Sequence, residues 1–270
     1  HIFLDYIAID SIDDRVKDII KGIYKGCEIA KCKLIGGETA EMPGIYRYGK
    51  FDLAGFAVGI VEDYFENSIK NGDLIYGIAS NGIHSNGYTL VRKLLKDSKY
   101  DILELLKPTR IYMEVLDIIK KYKGVLSGIA HITGGGFNNV RRILPEGFDI
   151  ILNDWELPDI FKWIQKRSGM SYLDMLETYN CGYGMILIFH EEIHENELDL
   201  IGKVSDLRLN DNLKWLRLMI TNMKNKMHNF AISSRISGLP YIGIIFLPLC
   251  ITYWSILDFS DVVYIFVIIS

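Results

Sequence analysis

The chain has 270 residues, 49% of them apolar, enough to build one large domain or two modest ones around a sizeable core. A formal net charge of −4 and a pI near 5.9 give no overall attraction to nucleic acid or an anionic membrane, and point to a small-molecule partner. The four cysteines, Cys27, Cys32, Cys181 and Cys250, make no CxxC pair and have no histidine at metal spacing, so they indicate neither a zinc site nor a disulfide framework but reduced thiols packed as small hydrophobes.

The segment IFLDYIAI after His1 reads as a strand. It has no basic n-region or small-residue cleavage site, so it does not read as a signal peptide, and a start inside a strand gives the expectation of a fragment. Ser11 followed by Asp14 predicts a helix start of the capping-box type. Ile12, Val16, Ile19, Ile20, Ile23, Cys27 and Ala30 then recur at three- and four-residue spacing, predicting a helix over 12–31 with one buried face. Next comes Leu34 to Tyr46, LIGGETAEMPGIY, read as a glycine-started loop ending in a rigid Met42-Pro43-Gly44 turn. Glycines admit close backbone approach to a ligand, and Glu38 and Glu41, three apart, can converge on one hard cation, a combination suited to phosphate and Mg²⁺. The plain alternative is a solvated loop or a helix-start carboxylate. Phe51 to Val61 is a second strand.

Periodicity lapses over Glu62 to Asp73, where Asn71-Gly72 marks a turn, so a domain boundary is expected there: 1–68, 69–213 and a tail of 214–270. Leu74 to Ala79 is a strand, SNGIHSNG from Ser80 to Gly87 a loop, and Tyr88 to Leu95 a helix, an order that aims backbone N–H groups at an anion. Pro108-Thr109-Arg110 opens another helix, and Arg110 either meets a phosphate or ties that helix start to a carboxylate. The strand–glycine–helix device returns at IAHITGGGFNNVRRIL, with glycines at 134 to 136. His84 and His131 beside these loops read either as ligand contacts or as structural hydrogen-bonders. Strands over 148–152 and 184–189, helices over 157–166 and 172–179, and a last edge strand at 201–204 complete an α/β or α+β sandwich. In the tail, Leu239 to Leu257 is a run of 19 uncharged residues broken by Pro240 and Pro248. Three readings of it stand: translation past a frameshift, a membrane segment, or a buried terminal element.

GGETAEMPGIY from Gly36, DLAGFAVG from Asp52, GIASNGIHSNGYTLVRK from Gly77, PTRIY from Pro108 and HITGGGFNNVRRILPEG from His131 resemble, in order and spacing, the signature segments of the aminoimidazole ribonucleotide synthetase (PurM) family. The resemblance covers residues 2 to about 209. It implies a two-domain PurM-like α/β architecture in a cytoplasmic homodimer. The implied reaction is the ATP-dependent ring closure of formylglycinamidine ribonucleotide. On matching positions it assigns Gly36, Gly37, Thr39, Ser85, Asn86, Gly87, Arg110, Gly134, Gly135 and Gly136 to ATP or phosphate, Glu38 and Glu41 to Mg²⁺, and His84 and Thr133 to the chemical step. Family members carry an upstream DGVGTK-type glycine loop, so the resemblance also implies an N-terminally truncated product, and both an active and an inactive fragment stand as expectations. Another ATP-using member of the same superfamily and a membrane-tethered non-catalytic partner are the competing expectations.

Overall fold

The computed structural model describes residues 1–60, 64–96, 98, 100–207 and the backbone of 262–267. A first sheet is built from β1 (Ile2–Ile9), β2 (Lys33–Glu41), β3 (Phe51–Ile60) and, far along the chain, β9 (Val262–Val267). Its order is β2-β1-β3-β9; β1 and β2 are parallel and joined by the crossover helix α1 (Asp14–Ile29). Ile7 and Ile9 point to the α1 side and pack with Val16, Ile19, Ile23 and Leu53. Side chains alternate along a strand, so Leu4 and Tyr6 stand on the other face, level with Phe56 and Glu38. The remainder of the 214–270 tail lies outside the described residues, and with it the three readings of that tail.

The helix start differs from the expected capping box. Asp13 is the N-cap, its carboxylate accepting from Arg15 N, and the Ile12 amide donates across to Glu41 Oε1 at 3.0 Å. Ser11 is drawn off by Asp10, a buried carboxylate that accepts from Gly49 N at 3.0 Å and Arg15 Nη2 at 2.8 Å. Partial burial works against ionising Asp10, yet the Gly49 and Arg15 hydrogen bonds and the guanidinium charge hold its carboxyl below the ordinary range.

The second sheet runs β5-β7-β4-β8-β6, every neighbouring pair antiparallel. Its strands are β4 (Leu74–Ala79), β5 (Leu126–His131), β6 (Phe148–Leu152), β7 (Tyr183–Phe189) and β8 (Asp199–Asp206). The strand expected at the edge is therefore interior. A Cβ at Gly202 would lie 2.3 Å from the Ile151 carbonyl oxygen, which is how closely β6 approaches β8. Ile75, Ile186 and Ile188 pack beneath α2 (Tyr88–Leu95), α5 (Asn138–Arg141), α6 (Asp159–Ser168) and α7 (Tyr172–Thr178), while Tyr76, Leu187 and Phe189 pack on the opposite face against α4 (Glu114–Lys121). Burial on both faces explains the continuous apolar run of β7.

A short helix, α3 (Ile102–Leu105), escaped the sequence reading; only Leu105 in it is buried, and Tyr88 Oη donates to the Leu105 carbonyl. The helix expected from Pro108 begins instead at Glu114. The expected boundary segment is stitched into the second sheet at its end. Ser68 N donates to Ser127 O, Gly72 N to Val204 O, and His190 bridges Asp73 Oδ1 at 3.0 Å and Ser68 Oγ at 3.4 Å.

Phe161 is fully buried between the second sheet and its helical layer. Phe161→Ala should lower unfolding free energy by about 3–5 kcal/mol, read from the urea midpoint, because the helices cannot close the hole fully.

Candidate functional site

Gly36 to Glu41 lie within β2 and not in a loop; only the Met42-Pro43-Gly44 segment turns, with Tyr46 N donating to Met42 O. This corrects the idea that Glu38 and Glu41 converge on one ion. A strand alternates faces, so residues three apart point oppositely. Glu38 is exposed beside Tyr6, on the face away from α1, and Glu41 is spent on the Ile12 amide. Among the described residues no group of three or more His, Cys, Asp or Glu side chains could hold a metal. Thr39, half-buried, stands level with Ile7 on the α1 side. Gly36 has open space where a Cβ would be, whereas at Gly37 a Cβ would lie 2.2 Å from Asp5 O and 2.3 Å from Asp5 Oδ1. Gly37 is thus required by the close approach of β1, independently of any ligand.

The two glycine-rich loops of the second sheet do meet. β4 and β5 both run antiparallel to β7, so their C-terminal ends emerge at the same edge. There Asn86 Oδ1 lies 3.3 Å from where a Gly134 Cβ would stand. The first loop is braced by Asn180, which accepts from Ser80 Oγ at 2.8 Å and donates to Gly82 O at 2.9 Å. Ser85 Oγ, exposed, lies 3.2 Å from Thr109 Oγ1. Gly87, at φ 75°, has the Tyr179 ring where a Cβ would be, so it too is a packing glycine. A cavity of about 300 Å³ opens beside Ser80, Asn81 and Gly82, walled by Tyr100, Lys107 and Phe161. Its amine is not spare: Lys107 Nζ donates to Glu104 at 2.7 Å.

The second loop is wound around Asn139, a fully buried side chain whose Nδ2 donates to Gly134 O at 3.3 Å and Gly136 O at 2.7 Å. Its Oδ1 accepts from Arg142 Nη1 at 3.0 Å, with Thr133 Oγ1 at 3.5 Å. Gly134 is exposed and Gly135 half-buried, but Gly136 is pressed against α7, where a Cβ would be 2.0 Å from Leu176 O. Of the three glycines, the first two face outward and the third serves packing.

His84 is 3% exposed and has φ 56°, a left-handed conformation rare outside glycine. Its Nε2 lies 2.9 Å from Asn81 Oδ1, while Nδ1 is enclosed without a partner, as are Tyr112 Oη and His131 Nε2. The three rings meet edge to face, His84–Tyr112 at 6.3 Å and Tyr112–His131 at 5.8 Å between centroids, with Tyr112 and His84 over Gly184. Burial, then the nearby His131 and Arg110, push the His84 pKa down to about 4; burial lowers that of His131 and raises that of Tyr112. Arg110 is already engaged: Nη1 donates to Ala79 O and Nη2 to Glu114 Oε1, both at 2.7 Å, and the guanidinium lies over the Tyr112 ring. Of the two readings of Arg110, the tie between β4 and α4 is the one its hydrogen bonds make. Asn81, Tyr112, Asn139 and Asn180 were not singled out in the sequence, since an amide or phenol that braces a loop has no spacing signature of its own.

A Cβ at Gly184 would fall 2.0 Å from Tyr112 Oη and 2.7 Å from His84 Cε1. Gly184→Ala should cost about 1–3 kcal/mol of stability in denaturant unfolding, and adding Tyr112→Phe should restore part of it. His84 also sets a pH dependence. Its pKa is lower folded than the ordinary 6.5, so the unfolded chain binds more protons between the two values. Its contribution is complete above 6.5 and lost as pH falls toward about 4, so His84→Gln should flatten that limb of the stability profile.

Two family models match the chain: "AIR synthase related protein, N-terminal domain" over residues 1–61 and "AIR synthase related protein, C-terminal domain" over residues 70–204. Among curated proteins it is 46% identical over 222 residues to a phosphoribosylformylglycinamidine cyclo-ligase of Neisseria meningitidis, covering 74% of this chain and 63% of the relative. The cyclo-ligase of Syntrophus aciditrophicus is 47% identical over 225 residues, covering 76% and 64%. The chain therefore spans just under two thirds of the length of these relatives. Solved structures with the same fold include thiamine monophosphate kinase of Aquifex aeolicus, with a TM-score of 0.53 at 18% identity over 75% of this chain and 70% of that one. A HypE–HypF complex gives a TM-score of 0.55 at 17% identity over 76% and 71%. On the strength of the two domain matches and the curated relatives, the chain belongs to the AIR synthase related protein family, with the two-domain α/β fold of that family.

Proposed function

We propose that this chain serves the ATP-dependent ring closure of formylglycinamidine ribonucleotide to aminoimidazole ribonucleotide, releasing ADP and phosphate, in cytoplasmic de novo purine synthesis. The observation that carries the reading is that the matched spans, 1–61 and 70–204, contain Leu34–Tyr46, Ser80–Gly87 and Thr133–Gly136, at 46% identity to a named cyclo-ligase. In this reaction the formyl oxygen takes the γ-phosphoryl group, a substrate amidine nitrogen attacks the activated carbon, and phosphate leaves with that oxygen. The protein's task is to bring two anionic molecules together and align them.

The outward-facing Gly134 and Gly135, and Ser85 and Asn86 across from them, suit that task, since they present small residues and hydroxyl, amide and backbone donors to an anion at one sheet edge. Thr133 belongs to the same proposed cluster, and Gly36 and the Thr39 backbone serve the nucleotide from β2, the Thr39 side chain being on the α1 side. Arg110 and Asn139 hold the loops in shape for this role. Mg²⁺ asks little of a protein beyond one or two carboxylates, the nucleotide's phosphates and water supplying the other oxygens, so Glu38 alone fits as its carboxylate. Glu41 does not join it. The face of the first sheet opposite α1, bearing Tyr6 and Phe56 beside Glu38, is where a second copy would form a homodimer, which would set Glu38 at the seam.

The test measures ADP and aminoimidazole ribonucleotide formation by the chain and by a version extended to the length of its relatives. Substrate-dependent ADP release by the extended version is expected. Gly134→Val should lower kcat/KM by about 100-fold or more by closing the approach to the loop. Glu38→Gln should raise the Mg²⁺ requirement. Turnover unchanged by Gly134→Val would remove this loop from the site, and ATP consumption indifferent to the substrate would overturn the reaction assigned.

A further inference from the structure

His84 stands in the loop that the reading above gives to an anion, where an imidazolium would be the expected partner. Its surroundings specify a different state. The Asn81 amide is orientated by Pro108, whose carbonyl accepts from Nδ2 at 2.8 Å. Turning that amide over would set two carbonyl oxygens against each other, so the atom presented to His84 is Oδ1, an acceptor, 2.9 Å from Nε2. An acceptor there requires a proton on Nε2. A neutral imidazole has only one, so Nδ1 is left with its lone pair.

The enclosure around Nδ1 favours leaving it that way. Nδ1, Tyr112 Oη and His131 Nε2 are each shut from solvent, and Tyr112 and His84 close over Gly184. The titratable and charged groups facing the ring are His131 from β5 and Arg110 and Tyr112 from the segment before α4. The acid of that cluster, Glu114, is committed to Arg110 at 2.7 Å. A second proton would thus place a buried positive charge near a guanidinium, without an acid of its own. Tyr112, whose hydroxyl is likewise unpartnered, packs its ring edge to face with His84 and brings no charge to it.

We propose that Asn81 is a positioning residue that holds His84 as the neutral Nε2–H tautomer, so that Ser80–Gly87 meets an anion through amide and hydroxyl dipoles and not through imidazolium charge. The functional half of this statement rests on the proposed phosphate role of the loop; the tautomer does not. If it holds, the loop keeps one charge state and one shape across the physiological pH range.

The experiment uses the full chain with ¹⁵N-labelled histidine and records ring nitrogen spectra from pH 4 to 8, His84 being identified by the set of signals lost in His84→Gln. Should that variant not fold, His84 is the ring whose signals persist when each of the other five histidines is replaced in turn. Expected is a protonated Nε2 and a bare Nδ1 at pH 7. Asn81→Ala should move both signals toward the tautomeric average, and Asn81→Asp should keep the tautomer but raise the titration midpoint by about one unit or more. A native ring protonated on Nδ1, a ring already cationic at pH 7, or a tautomer indifferent to Asn81→Ala would each overturn the assignment. Titrating ATP into the uniformly ¹⁵N-labelled chain separates the two readings. Loop amides that ignore ATP while the tautomer stands would count against the phosphate role alone; amides that respond to ATP around a ring of the wrong tautomer would count against Asn81 alone.

Discussion

Burial of β7 on both faces is the constraint from which the candidate site follows. Every residue from Gly184 to Phe189 is buried, alternating between the helical layer on one side and α4 on the other. A strand without a solvent face occupies the interior of the sheet, and β4 and β5 flank it antiparallel. Two strands that each oppose the same third strand run parallel to one another in space, so the loops that follow them open at one edge. That is the physical origin of the meeting of Ser80–Gly87 with Thr133–Gly136, segments nearly fifty residues apart in the chain. Gly184 at the head of β7 then lets Tyr112 and His84 close over the backbone.

The loops are held by amides more than by charges. Asn180 braces the first, Asn139 the second, and Asn81 joins His84 to the Pro108 carbonyl. The cations in the vicinity have work already: Arg110 ties β4 to α4, and Lys107 pairs with Glu104. An anion bound there, as proposed, would be held by oriented dipoles whose strength does not vary with pH, and a low-dielectric surround makes such dipoles more effective than in water. In the first sheet the carboxylate Asp10 shows the complementary arrangement, with a guanidinium and a backbone amide stabilising its charge.

The glycines divide into two populations. Gly37, Gly87, Gly136 and Gly184 are required by the protein's own packing, with another chain segment where a Cβ would stand. Gly36 and Gly135 have no such neighbour within 3.4 Å, and Gly134 faces only Asn86 at 3.3 Å. A glycine-rich string signals close approach but is silent on what approaches. From the sequence, all of these residues except Gly184, which opens a buried strand, look equally like ligand contacts.

The sequence by itself determined the family, the alternation of strands and helices, and most element positions, because hydrophobic period and ordered glycine motifs are local properties of the chain. The 12–31 helix, the strands at 74–79 and 148–152, and the helix at 88–95 were legible in this way. The glycine loops at 80–87 and 134–136 were legible too. Tertiary structure decided what depends on neighbours distant in the chain. It made β8 an interior strand by laying β6 along it, and GGETAE a strand by pairing it with β1, which sent Glu38 and Glu41 to opposite faces. It turned Arg110 into a tie and enclosed His84 with Tyr112 and His131. The physical reason is one of range: periodicity records which face of an element is buried, while the partner of a carboxylate, a guanidinium or an imidazole is chosen by whichever segment folds against it.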